Sequence, residues 1–152
     1  MIKAVSRFSD EFDGHGDVLF KACAEQGLEG IVSKHALTPY RSGRSKTWLK
    51  TKCFTEHSFL IIGTARDRKT KAPLALLAQS NAGGLTYAGS AFIALSGTDR
   101  AELAVRLKKL EHCPIPKLRF PDAQWVKPLL KARVRHLLGT GYLRHATVRA
   151  FA

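Results

Sequence analysis

Glu29 and a series of cations after it are the residues of this 152-residue chain whose types and spacing could do chemistry. Glu29 sits in the apolar run Leu28-Glu29-Gly30-Ile31-Val32-Ser33-Lys34, short enough for a strand and bounded by Gly27 and Pro39. The expectation is a carboxylate held inside a sheet. Twenty residues on, Trp48-Leu49-Lys50-Thr51-Lys52 alternates as a strand would, with Trp48, Lys50 and Lys52 on one face and Leu49 and Thr51 on the other. Like charges at neighbouring same-face positions repel, so the pair is favourable only with an anion between or above it, and phosphate suits. Lys34, Arg41, Arg44, Lys46, Lys50 and Lys52 follow one another with no acidic residue between them, as a polyphosphate or a nucleic-acid backbone requires. A lysine-rich edge strand that guards against aggregation has the same spelling, and residue types alone leave both readings open.

These segments resemble a known family. Glu29-Gly30-Ile31-Val32-Ser33-Lys34 is similar to nucleotidyltransferase motif IV, and Trp48-Leu49-Lys50-Thr51-Lys52 to motif V, of the ATP-dependent DNA ligases. The link Tyr40-Arg41-Ser42-Gly43-Arg44-Ser45 resembles the bacterial end-joining type, ligase D. The resemblance implies that Lys50 and Lys52, with Lys34, contact nucleotide phosphates, and that Glu29 helps to bind a divalent metal. It implies ATP and Mg²⁺ or Mn²⁺ as cofactors of the complete enzyme, with neither expected to be held stably here. Nicked or broken double-stranded DNA is the implied partner, with Arg41, Arg44, Lys46 and, near the end of the chain, Arg144 as candidate contacts.

The family's nucleophile is a lysine in a Lys-x-Asp-Gly motif, and these residues spell none; the nearest approach, Glu11-Phe12-Asp13-Gly14, has a carboxylate where the amine must be. A carboxylate cannot form the phosphoramide that lysine forms with AMP. No catalytic residue is therefore assigned, and the expectation is a truncated ligase, inactive alone, whose lysine-bearing N-terminal part is separate. The alternative is a stand-alone nucleic-acid-binding module without ligase activity. RNA ligases and capping enzymes share the paired motifs but match the Tyr40 to Ser45 link poorly.

The elements that would position these groups follow from patterning. Asp17 can cap a helix through Val18 to Gln26, with Gly27 as its stop, and the order of residues up to Phe12 suits a short strand and turn. After Lys52 the chain reads as β-rich: a buried strand over 58–65, a charged turn over 66–71, a strand over 74–79, a turn over 80–84 and a strand over 85–92. Leu103, Leu107 and Leu110 predict a helix from Asp99 to Glu111, and two short strands, 124–128 and 132–137, would close the sheet.

This order is that of an OB barrel, and the segment is similar to the C-terminal OB-fold domain of the family, Trp125-Val126-Lys127-Pro128 and Leu143-Arg144-His145 included. The motif VI of the wider family is not clearly spelled. The predicted fold class is mainly β with helices (α+β): an OB-fold Greek-key barrel at 53–152, preceded at 1–52 by a helix-strand remnant of an adenylation domain. Closure of the OB domain over nucleotide would need a hinge near Lys52 to Glu56.

Bulk properties agree with a polyanionic partner. Lys and Arg number 25 against 12 Asp and Glu, a formal net charge of +13, and a hydrophobic fraction of 45% can supply a core. No apolar run approaches the length of a spanning helix and the N-terminus lacks a signal-peptide core, so no membrane partner and a cytoplasmic protein are expected. Three cysteines without CxxC spacing argue against a disulfide framework or zinc site. Residues 1–52 would expose apolar faces, which predicts self-association or partial disorder of that segment.

Overall fold

The computed structural model describes residues 11–139 and 141–152; the strand expected before Phe12 lies almost wholly outside them. The fold is α+β and mostly strand. The chain forms two compact units, Met1–Cys53 and Phe54–Ala152.

The first unit holds helix α1 (Gly16–Glu25) and the strands β1 (Gly30–Lys34) and β2 (Trp48–Lys52). His15, without a side-chain cap bond, is the N-cap of α1, so Asp17 lies in the first turn, where its charge complements the helix dipole. Gly27 ends the helix at φ +72°, its N–H donating to the Ala24 carbonyl. β1 and β2 pair antiparallel from Gly30 opposite Lys52 to Lys34 opposite Trp48. α1 contains no buried residue, and Val18, Leu28, Val32, Leu37 and Leu49 are exposed.

The second unit is a barrel. Its strands are β3 (Phe54–Arg66), β4 (Pro73–Asn81), β5 (Gly84–Ile93), β6 (Gln124–Trp125), β7 (Lys131–Leu137) and β8 (Thr147–Phe151), with helix α2 (Gly97–Arg106) between β5 and β6. β3 is long enough to serve two neighbours: residues 54–60 pair with β7 and residues 60–66 with β4. The circuit β3-β4-β5-β8-β7 returns to β3, with β5 and β8 parallel, as in an OB barrel.

The runs Phe59-Leu60-Ile61-Ile62 and Leu74-Ala75-Leu76-Leu77-Ala78 do not alternate because both faces of these strands are covered. Ile61, Ala75 and Leu77 join Val134 and Val148 in the barrel core; Ile62, Leu76 and Ala78 pack outward against Ile115, Leu118, Phe120 and Trp125. The hairpin between β4 and β5 is the two-residue turn Ala82-Gly83, braced by Gly83 N–H donating 3.1 Å to Asn81 Oδ1.

Two expectations are corrected. α2 starts at Gly97, with Ser96 Oγ accepting from Asp99 N–H at 3.1 Å, and ends at Arg106, short of Glu111. Leu103 plugs the barrel core, but Leu107 turns extended and Lys109 bridges to Val126, so backbone pairing takes over from the helix. The strand expected over 124–128 is reduced to β6 at the sheet edge, and the barrel is closed by β8, which was not foreseen. Among the described residues no helix is long and apolar enough to cross a membrane.

Candidate nucleotide and nucleic-acid site

In the first unit, the antiparallel register decides which side chains share a face. Trp48, Lys50 and Lys52 lie on one side of β2, opposite Lys34, Val32 and Gly30 of β1 respectively. Lys34, Lys50 and Lys52 are thereby brought to one face of the ribbon, all exposed. Lys50 and Lys52 are two residues apart, roughly 7 Å along the strand. Lys34 Nζ lies 4.8 Å from the centroid of the Trp48 ring, which in turn meets Tyr40 edge-on at 5.7 Å. A cation–π contact of this kind orients an ammonium group while leaving its donors open to an anion.

Gly30 makes the pairing at Lys52 possible. It adopts φ +144°, and a Cβ there would run into the Thr51 carbonyl oxygen and come within 2.9 Å of Lys52 Cα. Glu29 precedes β1, its carbonyl accepting from Cys53 N–H at 2.8 Å. Its side chain is exposed, which corrects the expectation of a carboxylate inside a sheet: among the described residues the ribbon has two strands, and Gly30 and Ile31 at the start of β1 are only half-buried. Among the described residues no group of three or more His, Cys, Asp and Glu comes together as a metal site.

The loop between β1 and β2 is pinned at its ends. His35 N–H donates to the Thr47 carbonyl at 2.9 Å, and Thr47 N–H to Ser45 Oγ at 3.1 Å. Arg41, Arg44 and Lys46 project from this loop and are exposed. Cys53, at the end of the unit, is buried, which pushes its thiol up, with Cys23 adding to the effect.

Arg144 belongs to the second unit, in the connection between β7 and β8, where its carbonyl accepts from Leu137 N–H at 3.0 Å. Its side chain is exposed. Tyr40, Phe92 and Tyr142 are 74%, 42% and 76% exposed. Sequence reading also left Arg135 unassigned, although the alternation Arg133-Val134-Arg135 was visible. Val134 turns into the core, Arg133 meets Glu56 at 3.5 Å, and the Arg135 guanidinium stacks 3.8 Å from the centroid of Phe54.

No protein-family model matches the chain. It is 29% identical over 143 residues to the multifunctional non-homologous end joining protein LigD of Pseudomonas aeruginosa, covering 86% of this chain and 17% of that protein. The multifunctional non-homologous end joining DNA repair protein LigD of Mycobacterium tuberculosis strain H37Rv is 28% identical over 148 residues, 90% of this chain and 20% of that one. The crystal structure of the ligase domain from M. tuberculosis LigD matches with a TM-score of 0.57 at 26% identity. The chain is homologous to the ligase domain of LigD. The match to that domain covers 92% of this chain, and so reaches into both units, but only 49% of the LigD ligase-domain structure. Against the LigD proteins themselves the chain spans about a fifth of their length or less.

Proposed function

We propose that these residues supply the phosphate-contacting part of an ATP-dependent DNA ligase that acts in end joining, with the adenylated lysine lying outside them. The observation that carries this reading is the β1–β2 register, which gathers Lys34, Lys50 and Lys52 on one exposed face. Transfer of AMP and displacement by a 3′-hydroxyl are phosphoryl-type steps, in which charge neutralisation and positioning supply most of the catalysis. Lys34, Lys50 and Lys52 hold nucleotide phosphates as point charges, and Arg41, Arg44, Lys46 and Arg144 hold the DNA backbone.

A divalent ion such as Mg²⁺ is commonly held through one or two carboxylates together with substrate phosphates, and Glu29, which is exposed, would supply one such carboxylate. When bound, the ion neutralises phosphate charge. These residues spell no Lys-x-Asp-Gly amine, so they contribute contacts to the nucleotide phosphates but no nucleophile.

A second reading, a stand-alone nucleic-acid-binding module, draws on the self-contained barrel of the second unit. Two measurements separate them. Intact-mass analysis after incubation with ATP and Mg²⁺ should show no added AMP, and a nicked duplex should be sealed only when the chain is mixed with a lysine-bearing ligase part. Failure of sealing in that mixture favours the binding module, and an adenylate on this chain alone contradicts both readings.

A further inference from the structure

Away from the lysine face, the second unit contains a cavity of about 650 Å³ between α2, the turn from β3 to β4 and the segment leading to β6, within the size range of small-ligand sites. Its floor is aliphatic: Ile93, Leu103 and Val126, themselves part of the barrel core, with Leu107 packed against them. A floor built from core residues is fixed in place before any ligand arrives.

Five cations line the walls, from three stretches of chain: Arg66, Arg68 and Lys71 from the β3–β4 turn, Arg100 from α2 and Lys109 from beyond it. Two of them are oriented by carbonyls. Arg66 donates 3.1 Å to the Lys71 carbonyl, and Arg100 donates 3.1 Å to that of Leu95. The turn itself is braced by Asp67, whose Oδ1 accepts from Thr70 N–H at 2.7 Å, Thr70 Oγ1 at 2.8 Å and Lys69 N–H at 3.1 Å. Among the described residues the ion pairs are Arg106 with Glu102 and Arg133 with Glu56, so none of these five cations is neutralised by a carboxylate in that way. Asp122 is the carboxylate among the lining residues, and Thr64 and Gln124 add hydroxyl and amide groups.

We propose that this cavity binds a nucleoside 5′-phosphate, either free or as the end of a strand. The flat base lies on the aliphatic floor, Gln124 and Thr64 meet its polar edge, and the phosphate is held by the cations that line the walls. Asp122 accepts from a ribose hydroxyl. Burying only an anion would waste the apolar floor, and burying only an apolar group would leave a cluster of like charges facing it. A ligand with a planar apolar body and a dianionic end satisfies both.

The test is a titration of the full chain, with methyl groups of Ile, Leu and Val isotope-labelled for NMR. AMP, adenosine, inorganic phosphate and a 5′-phosphorylated tetranucleotide are added in turn. AMP should move the methyls of Ile93, Leu103, Leu107 and Val126 to saturation, with adenosine about tenfold weaker or more for want of charge-assisted contacts. R68E/K71E, both at exposed positions, should weaken AMP by about tenfold or more on the same grounds, and Ala104→Trp, filling the cavity from an exposed position on α2, should abolish the shifts.

K50A/K52A should leave them intact, which separates this site from the lysine face of the first unit. Shifts with AMP alone assign a free mononucleotide, and shifts with the tetranucleotide as well assign a strand end. Unmoved floor methyls, equal shifts with adenosine, or floor-methyl shifts with AMP that survive R68E/K71E and Ala104→Trp would overturn the proposal.

Discussion

Gly30 shows how one residue can hold a candidate site together. Its positive φ and its contact with the Thr51 carbonyl leave no room for a Cβ, so Gly30→Ala must open the ribbon at the position opposite Lys52. Strain of this kind costs about 1–3 kcal/mol. The expected outcome is faster amide exchange at Val32 and Lys50 with the exchange of Val134 and Val148 unchanged. Cys53 permits a second check. Thiolate is the reactive form, and burial, then Cys23, pushes the Cys53 thiol up. In the native chain Cys53 should be alkylated at neutral pH far more slowly than in urea, as peptide mapping would report; equal rates would mean that the residue is accessible.

The alternation of Trp48 to Lys52 was legible because a strand's period is fixed by its own backbone, and it put Lys50 and Lys52 on one face without any knowledge of a partner. Lys34 could be added to that face only from the register with β1, which no single strand records. Glu29 was misjudged because an apolar run signals a strand but not how many strands will cover it.

At the scale of elements, the barrel depends on strands that are far apart in sequence. β8 lies between β5 and β7, and Val148 is fully buried there. Val148→Ala removes two methyl groups from the core and should lower stability by about 1–3 kcal/mol, measured by denaturant unfolding; a change within error would mean that β8 does not close the core. Ser96→Ala removes the cap of α2 and should cost about 1 kcal/mol.

The hairpins β3–β4 and β4–β5 were readable because their turns are local: Asp67 gathers the first, and Asn81 and Gly83 the second. β8 was not, because Thr147-Val148-Arg149-Ala150-Phe151 is short and polar by alternation, and its parallel partner β5 lies more than fifty residues earlier. The overlong reading of α2 has the same origin. Leu103, Leu107 and Leu110 have helical spacing, but pairing of Lys109 with Val126 is a distant contact that spacing does not contain.

For the whole molecule, a contrast in packing separates the two units. The second has a barrel core and a second cluster outside it, whereas α1 in the first has no buried residue. The amides of β3, β4 and β7 should therefore exchange last, at the free energy of global unfolding, and those of α1 much sooner. The exposed Val18, Leu37 and Leu49 of the first unit lead us to expect concentration-dependent self-association, which light scattering would detect; a monomer at every concentration would contradict that expectation.

The net charge of +13 sets the long-range field in which any nucleic acid approaches. Charge alone, however, would make binding indifferent to which cations are removed. Binding to a nicked duplex should therefore be measured against salt concentration for the chain and for K50A/K52A side by side. Each phosphate contact contributes a slope of about 0.9 in log affinity against log salt, so the double variant should bind more weakly and lose close to two units of slope. The same affinity and slope in both proteins would mean that Lys50 and Lys52 do not touch phosphate, and the lysine face would have to be read as a solvated strand.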